Sequence, residues 1–298
     1  MKATEPFHPS NILCPVDFSE LSNLALKYAA AGATAFGATL VVFHAQRFIL
    51  PPYFTSSQIA ELKRQRQGEK ARAKEFLRLH VKKILGSSAD AVRIKYDLED
   101  AHPVDAILAA AARHKAELIV MGTHGRGGAK RLWLGSVVEN VVRQAGVPVF
   151  AVRQKQHEFI DTSNSLKMPK LQKILCPVNF SGAARTSLEH AASLAKQFNS
   201  RLITTCIAEP GDSLGTSRLK EELTSWLQQS DAAQCDVEIR TGKGQAGKEI
   251  VALASRTRAD LVVLGAQPPH GMHRWFSGDT TEFVLRQAPV PVLIVPEK

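Results

Sequence analysis

The sequence predicts an α/β fold made of two tandem domains, each with a parallel five-stranded sheet and helices on both faces. Apolar, strand-sized runs alternate along the chain with segments of helical periodicity. One segment recurs: Asn11–Ser19 and Lys173–Ser181 are identical at seven of nine positions. The chain has 298 residues, which leaves room for two domains of ordinary size.

The first copy is predicted to hold five strands separated by four helices. The strands are expected at 12–16, 38–45, 91–96, 117–121 and 147–152. The helices are expected at 20–36, 57–85 and 103–114, with a fourth that begins at Ser136. Ser19 is a typical cap for the first helix, and Pro103 suits a first helical turn. Right-handed crossovers then give a doubly wound sheet, which binds ligands at the carboxyl ends of its strands.

The second copy repeats this order, with strands near 173–178, 201–208, 235–241, 260–265 and 291–295. We therefore expect domains at 1–153 and 171–298, joined by a polar linker at 154–170. The last strands, Val147–Val152 and Val290–Val295, are matched apolar segments at a sheet edge. Such edges invite pairing, so an intramolecular pseudo-dimer is expected.

Composition narrows the class of protein. Apolar residues make up 44% of the chain, which suits globular cores, and the apolar runs are too short to span a membrane. No secretory signal is visible, and four cysteines without a CxxC spacing indicate a reducing, cytoplasmic setting. The formal charge of +10 suits anionic partners, but no nucleic-acid-reading motif accompanies it. No Cys/His grouping predicts a metal site.

The richest segment for function is the glycine-rich loop between the fourth strand and the fourth helix. It contains Gly122, Gly125 and Gly135, and Ser136 follows at the helix start. Glycines let the backbone approach a ligand, and free N–H groups at a helix start attract anions. Arg126 adds positive charge. The segment is interpreted as a phosphate-binding loop, although an ordinary turn with Ser136 as helix cap has the same composition.

These residues resemble the universal stress protein family, and the chain resembles a tandem member. The glycine and serine pattern, the strand end Pro15–Ser19 and the strand end Phe43–Ala45 carry the resemblance. It implies Rossmann-like domains of the adenine nucleotide alpha hydrolase type, with strand order 3-2-1-4-5. It also implies that the domains pair through their last strands.

The resemblance implies an ATP site in the first domain. Asp17 would lie by the ribose and the Ala45 backbone by the adenine, while Gly122 and Gly125 would line ribose and phosphates. The candidate site residues are Pro15, Val16, Asp17, Ala45, Met121, Gly122, His124, Gly125, Arg126, Gly135, Ser136 and Val137. Asp17 also suits a purely structural role as a carboxylate at the helix start.

The second copy departs from this pattern. Asn179 replaces Asp17, and on the glycine alignment Pro268 and Asp279 replace Gly125 and Ser136. Proline has no N–H to offer, and a carboxylate at a helix start repels phosphate. The second site is expected to be degenerate, which predicts one nucleotide per chain.

The sequence therefore predicts a cytoplasmic, regulatory stress protein that binds ATP, with AMP or ADP as alternatives and Mg²⁺ on the phosphates. A slow ATPase or adenylate-handling enzyme and a nucleotide-free interaction module remain the alternatives, and a homodimer stays open. Gly122 and Gly125 are expected on a surface loop, so that valine at either position removes nucleotide binding without unfolding the domain.

Overall fold

A computed structural model of the chain describes residues 6–46, 56–124, 134–153, 158–160, 169–209, 215–266 and 280–297. For residues 56–68 the description covers the helical backbone and not the side chains. Both halves of the chain have the predicted α/β fold.

The first half contains five strands and four α-helices. The strands are β1 (Asn11–Pro15), β2 (Thr39–Gln46), β3 (Arg93–Asp100), β4 (Leu118–Gly122) and β5 (Val149–Val152). The helices are α1 (Glu20–Phe36), α2 (Ser56–Leu85), α3 (Pro103–Arg113) and α4 (Ser136–Gln144).

The second half repeats this order. Its strands are β6 (Lys173–Pro177), β7 (Arg201–Ala208), β8 (Val237–Lys243), β9 (Leu261–Ala266) and β10 (Val292–Pro296). Its helices are α5 (Gly182–Phe198), α6 (Thr216–Gln228), α7 (Ala246–Thr257) and α8 (Thr280–Gln287).

All ten strands form one sheet, in the order β3-β2-β1-β4-β5-β10-β9-β6-β7-β8. Each half has the expected order 3-2-1-4-5 and is parallel throughout. The sheets are not separate, however, because β5 and β10 pair in antiparallel register, with Val292 opposite Ala151 and Ile294 opposite Val149. The strands therefore run in opposite directions in the two halves.

The third strand differs from its predicted bounds of 91–96. A 3₁₀ helix, Gly86–Ala91, precedes it, and β3 continues to Asp100. β3 is an edge strand with alternating side chains: Ile94 and Tyr96 pack on the helix side, while charged residues lie between them. The apolar content of the sequence understates the length of such a strand, because only one of its faces joins a core.

The helices begin where the sequence predicts a cap. Ser19 Oγ accepts a hydrogen bond of 3.2 Å from the Ser22 backbone N–H, and Ser181 Oγ accepts one of the same length from Ala184. Helix α1 ends at Gly37, whose φ of 64° is the left-handed conformation that glycine adopts without strain. The two copies thus start α1 and α5 with the same capping geometry.

One apolar cluster crosses from one half to the other. The rings of Phe36 and Phe198 lie 5.9 Å apart, between α1 and α5. Phe159 and Ile160 from the predicted linker are also buried in this cluster, and Phe159 packs edge-on against Tyr28 at 5.0 Å. The described part of the linker therefore belongs to the core between the halves, although its neighbours in sequence are polar.

Candidate functional site

A cavity of about 530 Å³ lies at the carboxyl ends of β1, β2 and β4, beside the start of α4. Its position follows from the topology, since β1 and β4 are adjacent and their helices leave on opposite faces. Ten of the residues predicted for the site line it: Pro15, Val16, Asp17, Ala45, Met121, Gly122, His124, Gly135, Ser136 and Val137. The other two, Gly125 and Arg126, lie outside the described residues.

Six further residues line the cavity and were not predicted. They are Ser22, Pro103, Ile107, Thr123, Leu134 and Val138. Pro103 and Ile107 are four residues apart on α3, so both lie on the same face of that helix. That spacing is visible in the sequence. However, the sequence does not indicate that this face of α3 lines the cavity rather than packing into the core.

Asp17 holds the turn that leads into α1. Its Oδ1 accepts hydrogen bonds from Ser19 N–H at 3.0 Å and from Ser19 Oγ at 2.6 Å. In the second copy, Asn179 Oδ1 accepts the equivalent bonds from Ser181 at 3.3 and 2.7 Å. An amide therefore builds this turn as a carboxylate does. The negative charge of Asp17 is therefore not needed for the turn.

Gly122 is the last residue of β4, so the prediction that it lies on a surface loop is wrong. A Cβ atom on Gly122 would lie 3.0 Å from Leu21 Cγ and 3.2 Å from the Leu21 backbone. The strand end and the first turn of α1 approach too closely for a side chain. At this spacing we expect Gly122→Val to destabilise the domain rather than to leave it unaffected, because valine would push the strand from the helix.

The start of α4 faces the cavity without a side-chain cap. The N-cap residue is Gly135, and no side chain among the described residues bonds to the cap. Ser136 is the first helical residue and does not serve as the cap. The Gly135 N–H donates to Thr123 O at 2.8 Å, and this contact fixes the helix start against the strand end. The first N–H groups of a helix have no partner within it and attract anions.

His124 forms part of the cavity wall. Its Nδ1 lies 3.0 Å from Thr123 Oγ1, while its Nε2 is buried and has no hydrogen-bond partner among the described residues. Burial lowers the pKa of the imidazole, and the positive charge of Arg153 lowers it further. The ring is therefore neutral at pH 7. A buried polar nitrogen without a partner is costly unless a ligand or water meets it.

His44, by contrast, is held away from the cavity. Its Nδ1 lies 2.7 Å from Val16 O, and its ring packs on Phe18 at 4.6 Å. Phe18 itself has a φ of 65°, a strained conformation for a residue with a side chain. This aromatic contact holds the β1 turn against the end of β2.

The second copy differs at the matching end of β7. The strand registers Pro15↔Phe43 and Pro177↔Thr205 place Ile207 where the first copy has Ala45. A Cβ on Gly242 would lie 2.9 Å from Ile207 Cδ1, so the isoleucine fills the space beside the strand end. The glycine pattern alone does not show the replacement of Ala45 by Ile207, because neither residue lies in the glycine-rich loop. Aligning β2 with β7 shows it directly. Pro268 and Asp279 lie outside the described residues.

Two further properties of the described residues bear on function, namely metal binding and membrane insertion. No group of three or more His, Cys, Asp or Glu side chains in these ranges is placed to hold a metal ion. Within the same ranges, no helix is both long enough and apolar enough to cross a membrane. Asp17 is the one carboxylate among the described residues that line the cavity.

Comparison with known proteins gives one consistent result. The model of the universal stress protein family matches the chain twice, at residues 9–153 and 170–296. A universal stress protein of Thermus aquaticus is 36% identical over 146 residues, which are 48% of this chain and 97% of that protein. A universal stress protein of Mycobacterium tuberculosis is 22% identical over 224 residues, or 70% of this chain and 74% of that protein.

Among solved structures, a universal stress protein from Archaeoglobus fulgidus matches across both halves. The alignment covers 98% of this chain and 100% of that one, with 21% identity and a TM-score of 0.68. At this identity the likeness concerns the fold of the tandem pair.

Proposed function

Because the chain belongs to the universal stress protein family, we propose that it binds ATP in its N-terminal domain and acts as a nucleotide-dependent regulator in the stress response. The observation that carries the proposal is the convergence of strand ends and an uncapped helix start on one cavity of about 530 Å³. Ligand pockets of about 300–1,000 Å³ are typical for small molecules and cofactors.

The end of β2 suits recognition of adenine by backbone groups. Phe43 O accepts from Val16 N–H, so the backbone groups of Phe43 point towards β1. Ala45 is two residues further along the same strand, and its backbone groups point the same way. Ala45 pairs with Glu99 of β3 on its other side, but β1 ends at Pro15, so no described strand lies beside Ala45 on the β1 side. An N–H and a C=O on that side of the strand end can hydrogen-bond the edge of a base.

Asp17 is proposed to accept hydrogen bonds from the ribose hydroxyls. Its charge is not required by the turn that it builds, as the equivalent turn at Asn179 demonstrates. A hydrogen bond to a charged acceptor contributes more than one to a neutral amide. Asp17 would thus distinguish a nucleotide from a free phosphate.

The phosphates are proposed to bind at the start of α4. The N–H groups of Ser136 and Val137 and the Ser136 hydroxyl would meet them, with Gly125 and Arg126 as further predicted contacts. A helix start favours negative charge. Mg²⁺ would be held mainly by the phosphates and water, since Asp17 is the one lining carboxylate among the described residues. ADP and AMP fit the same arrangement with fewer phosphate contacts.

His124 is proposed to complete the site. Its buried Nε2 lacks a partner within the described ranges, and the lowered pKa keeps the ring neutral. A neutral imidazole offers one donor and one acceptor rather than a charge. It would therefore hydrogen-bond the nucleotide without adding to the positive charge at α4.

We propose further that the C-terminal domain binds no nucleotide and serves as a structural or interaction partner. The antiparallel pairing of β5 with β10 supports an internal pseudo-dimer that persists in solution. A homodimer of whole chains is a separate question, which the molar mass in solution would answer. The four cysteines all lie among the described residues and form no disulfide, which supports a reducing, cytoplasmic location.

Calorimetric titration of the full chain with ATP tests the proposal. The Asp17→Asn variant retains the turn, as Asn179 does, and loses the charge. We expect about tenfold weaker binding, since a charged hydrogen bond contributes about 1.5–3 kcal/mol. Thermal unfolding of the ligand-free variant should be unchanged.

The matched control is Asp90→Asn, which removes an exposed carboxylate of the same domain outside the cavity. It should bind ATP as the unmodified chain does. Equal weakening by both variants would refute the role of Asp17. An unmodified chain that binds no adenine nucleotide would refute the proposed function.

A further inference from the structure

A second cavity, of about 380 Å³, lies in the C-terminal domain between α7 and one face of β6, β7 and β8. We name it the α7 groove and define it by Arg201, Thr205, Glu238, Arg240, Glu249 and Arg256, which line it together with apolar residues. No residue lines both this groove and the N-terminal cavity. The α7 groove is therefore separate from the proposed nucleotide site.

The matching place in the N-terminal domain carries ion pairs between the helix and the edge strand. Phe43, which is fully buried there, takes the position of Thr205. Asp97 accepts hydrogen bonds from Arg113 and His114, both at 2.7 Å, and Glu99 accepts one from Arg113 at 3.0 Å. These contacts bind the end of α3 to the edge strand β3.

The C-terminal domain has lost each of these contacts. The strand registers place Arg240 at the position of Asp97 and Gly242 at that of Glu99. The residues that end α3 and α7, Lys115 and Arg258, share the left-handed conformation, so Arg256 matches Arg113. Arg256 thus keeps the arginine of the first copy while both of its carboxylate partners are gone.

The basic side chains of the groove are only partly neutralised. Four basic residues line it, since Lys173 joins the three arginines, against the two acids Glu238 and Glu249. Glu238 pairs with Arg240 and lies 4.0 Å from Arg201. Arg256 lies 3.9 Å from Glu249, beyond hydrogen-bond distance. Arg201 also pairs with Asp236 at 2.8 Å, so Arg256 is the groove arginine with the weakest ionic partner. Positive charge is therefore least neutralised beside Arg256.

The floor of the groove combines apolar and polar groups. Ile203, Ile207 and Leu253 line it as apolar contacts. Thr205 lies between the two isoleucines on β7, is 1% exposed, and its Oγ1 has no hydrogen-bond partner among the described residues. A buried hydroxyl without a partner is costly, and a polar group in the groove would relieve that cost.

We propose that the α7 groove binds a small organic oxyanion, with a carboxylate or phosphate group between Arg240 and Arg256 and an apolar part on Ile203 and Leu253. Guanidinium groups match both oxyanions in geometry and charge. The C-terminal domain is then a ligand-binding domain in its own right, with a site at which the N-terminal domain instead pairs Arg113 with two carboxylates.

The test is a titration of the isotope-labelled full chain followed by backbone amide NMR. Phenyl phosphate and benzoate are the two anionic probes, and benzamide is the uncharged probe of the same shape. We expect saturable shifts at the amides of Thr205, Thr241 and Leu253 with at least one anion. The relative affinity of the two anions identifies phosphate or carboxylate as the preferred group.

Two variants and a control decide the assignment. Arg256→Gln removes the weakly paired cation, and Arg240→Asp restores the carboxylate that the first copy holds there. Each should weaken the anion about tenfold. Arg218→Gln removes an exposed charge on α6 outside the groove and should change nothing. All three positions are exposed, so the variants should unfold at the temperature of the unmodified chain.

Three results would overturn the proposal. One is the absence of saturable shifts with either anion at millimolar concentration. Another is equally tight binding of benzamide, which would leave the arginines without a role. The third is equal weakening by Arg218→Gln and Arg256→Gln, which would assign the effect to the net charge of the chain.

Discussion

The two domains share a fold, but the cavities found in their described residues lie at different places along the sheet. On β2, the buried residue is Phe43 and the small residue is Ala45; on β7 the matching residues are the small Thr205 and the bulky Ile207. The cavity of the first domain lies at the strand end, and the groove of the second lies two residues earlier, beneath α7. One exchange of bulk on an inner strand thus accompanies the shift in the position of the cavity.

The residues that the two domains keep in common serve the fold. Gly122 is the last residue of β4 and Gly265 the last but one of β9, and both contact the first turn of a helix. A Cβ on Gly265 would lie 2.3 Å from Ala183 O. Asp17 and Asn179 build the same turn. Glycine at this position is therefore no sign of a nucleotide site by itself. The differences between the domains carry the functional information.

The largest effect is expected when the residue of the second domain is placed in the first. Ala45→Ile would put three more carbon atoms into the wall of the N-terminal cavity. Overpacking of this kind costs about 1–3 kcal/mol, which corresponds to about tenfold to a hundredfold weaker ATP binding. Calorimetry with the full chain measures it, and an unchanged affinity would separate Ala45 from the adenine position.

The reverse change sharpens the comparison. Ile207→Ala opens the matching space in the second domain but leaves Asn179, Pro268 and Asp279 in place. We expect the stoichiometry to stay at one nucleotide per chain. A second equivalent of ATP bound by this variant would mean that bulk at the strand end alone had closed the second site.

A smaller effect is expected from alanine at the two glycines. Gly265→Ala forces a methyl group against the backbone of Ala183, whereas Gly122→Ala meets the flexible side chain of Leu21 first. Gly265→Ala should lower the free energy of unfolding by about 1–3 kcal/mol, and Gly122→Ala by less. Denaturant unfolding gives both values. The opposite order would indicate that the second domain is the more loosely packed of the two.

The smallest effect concerns pH. The folded state lowers the pKa of His124 through burial and the charge of Arg153. The unfolded chain then binds the proton at a higher pH than the folded chain does. The neutral His124 side chain therefore contributes to stability above its ordinary pKa of about 6.5. This contribution is lost as the pH falls through the lowered pKa of the folded state.

His124→Gln, which installs the glutamine that the second domain has as Gln267, removes this titration. Between about pH 7 and about pH 5, the unmodified chain should lose more thermal stability than the variant. Parallel stability curves for the two proteins would contradict the lowered pKa.

The sequence was sufficient to predict the fold and most of the candidate residues that line the cavity. Apolar runs such as Ile12–Val16 are buried on both faces, so their composition alone indicates parallel strands. Ten predicted residues line one cavity because strand ends and loops of a doubly wound sheet meet at its carboxyl edge. Their contacts with a nucleotide remain a prediction.

The sequence was insufficient where two elements determine a property together. From the sequence, Gly122 looks like a loop glycine. The structure shows that it lies against Leu21, which leaves no room for a side chain. The burial of Phe159 depends on Tyr28, which is more than a hundred residues away. The α7 groove depends on the replacement of Asp97 and Glu99 by Arg240 and Gly242 opposite a helix that keeps its arginine, and neither segment shows this loss by itself.

The antiparallel junction of β5 and β10 gives the molecule two poles. Strands in each half are parallel and the halves run in opposite directions, so the carboxyl edges of the two half-sheets face opposite ways. A protein that docks over the N-terminal cavity leaves the other pole uncovered. Groups bound at the two carboxyl edges would therefore be held on opposite sides of the molecule.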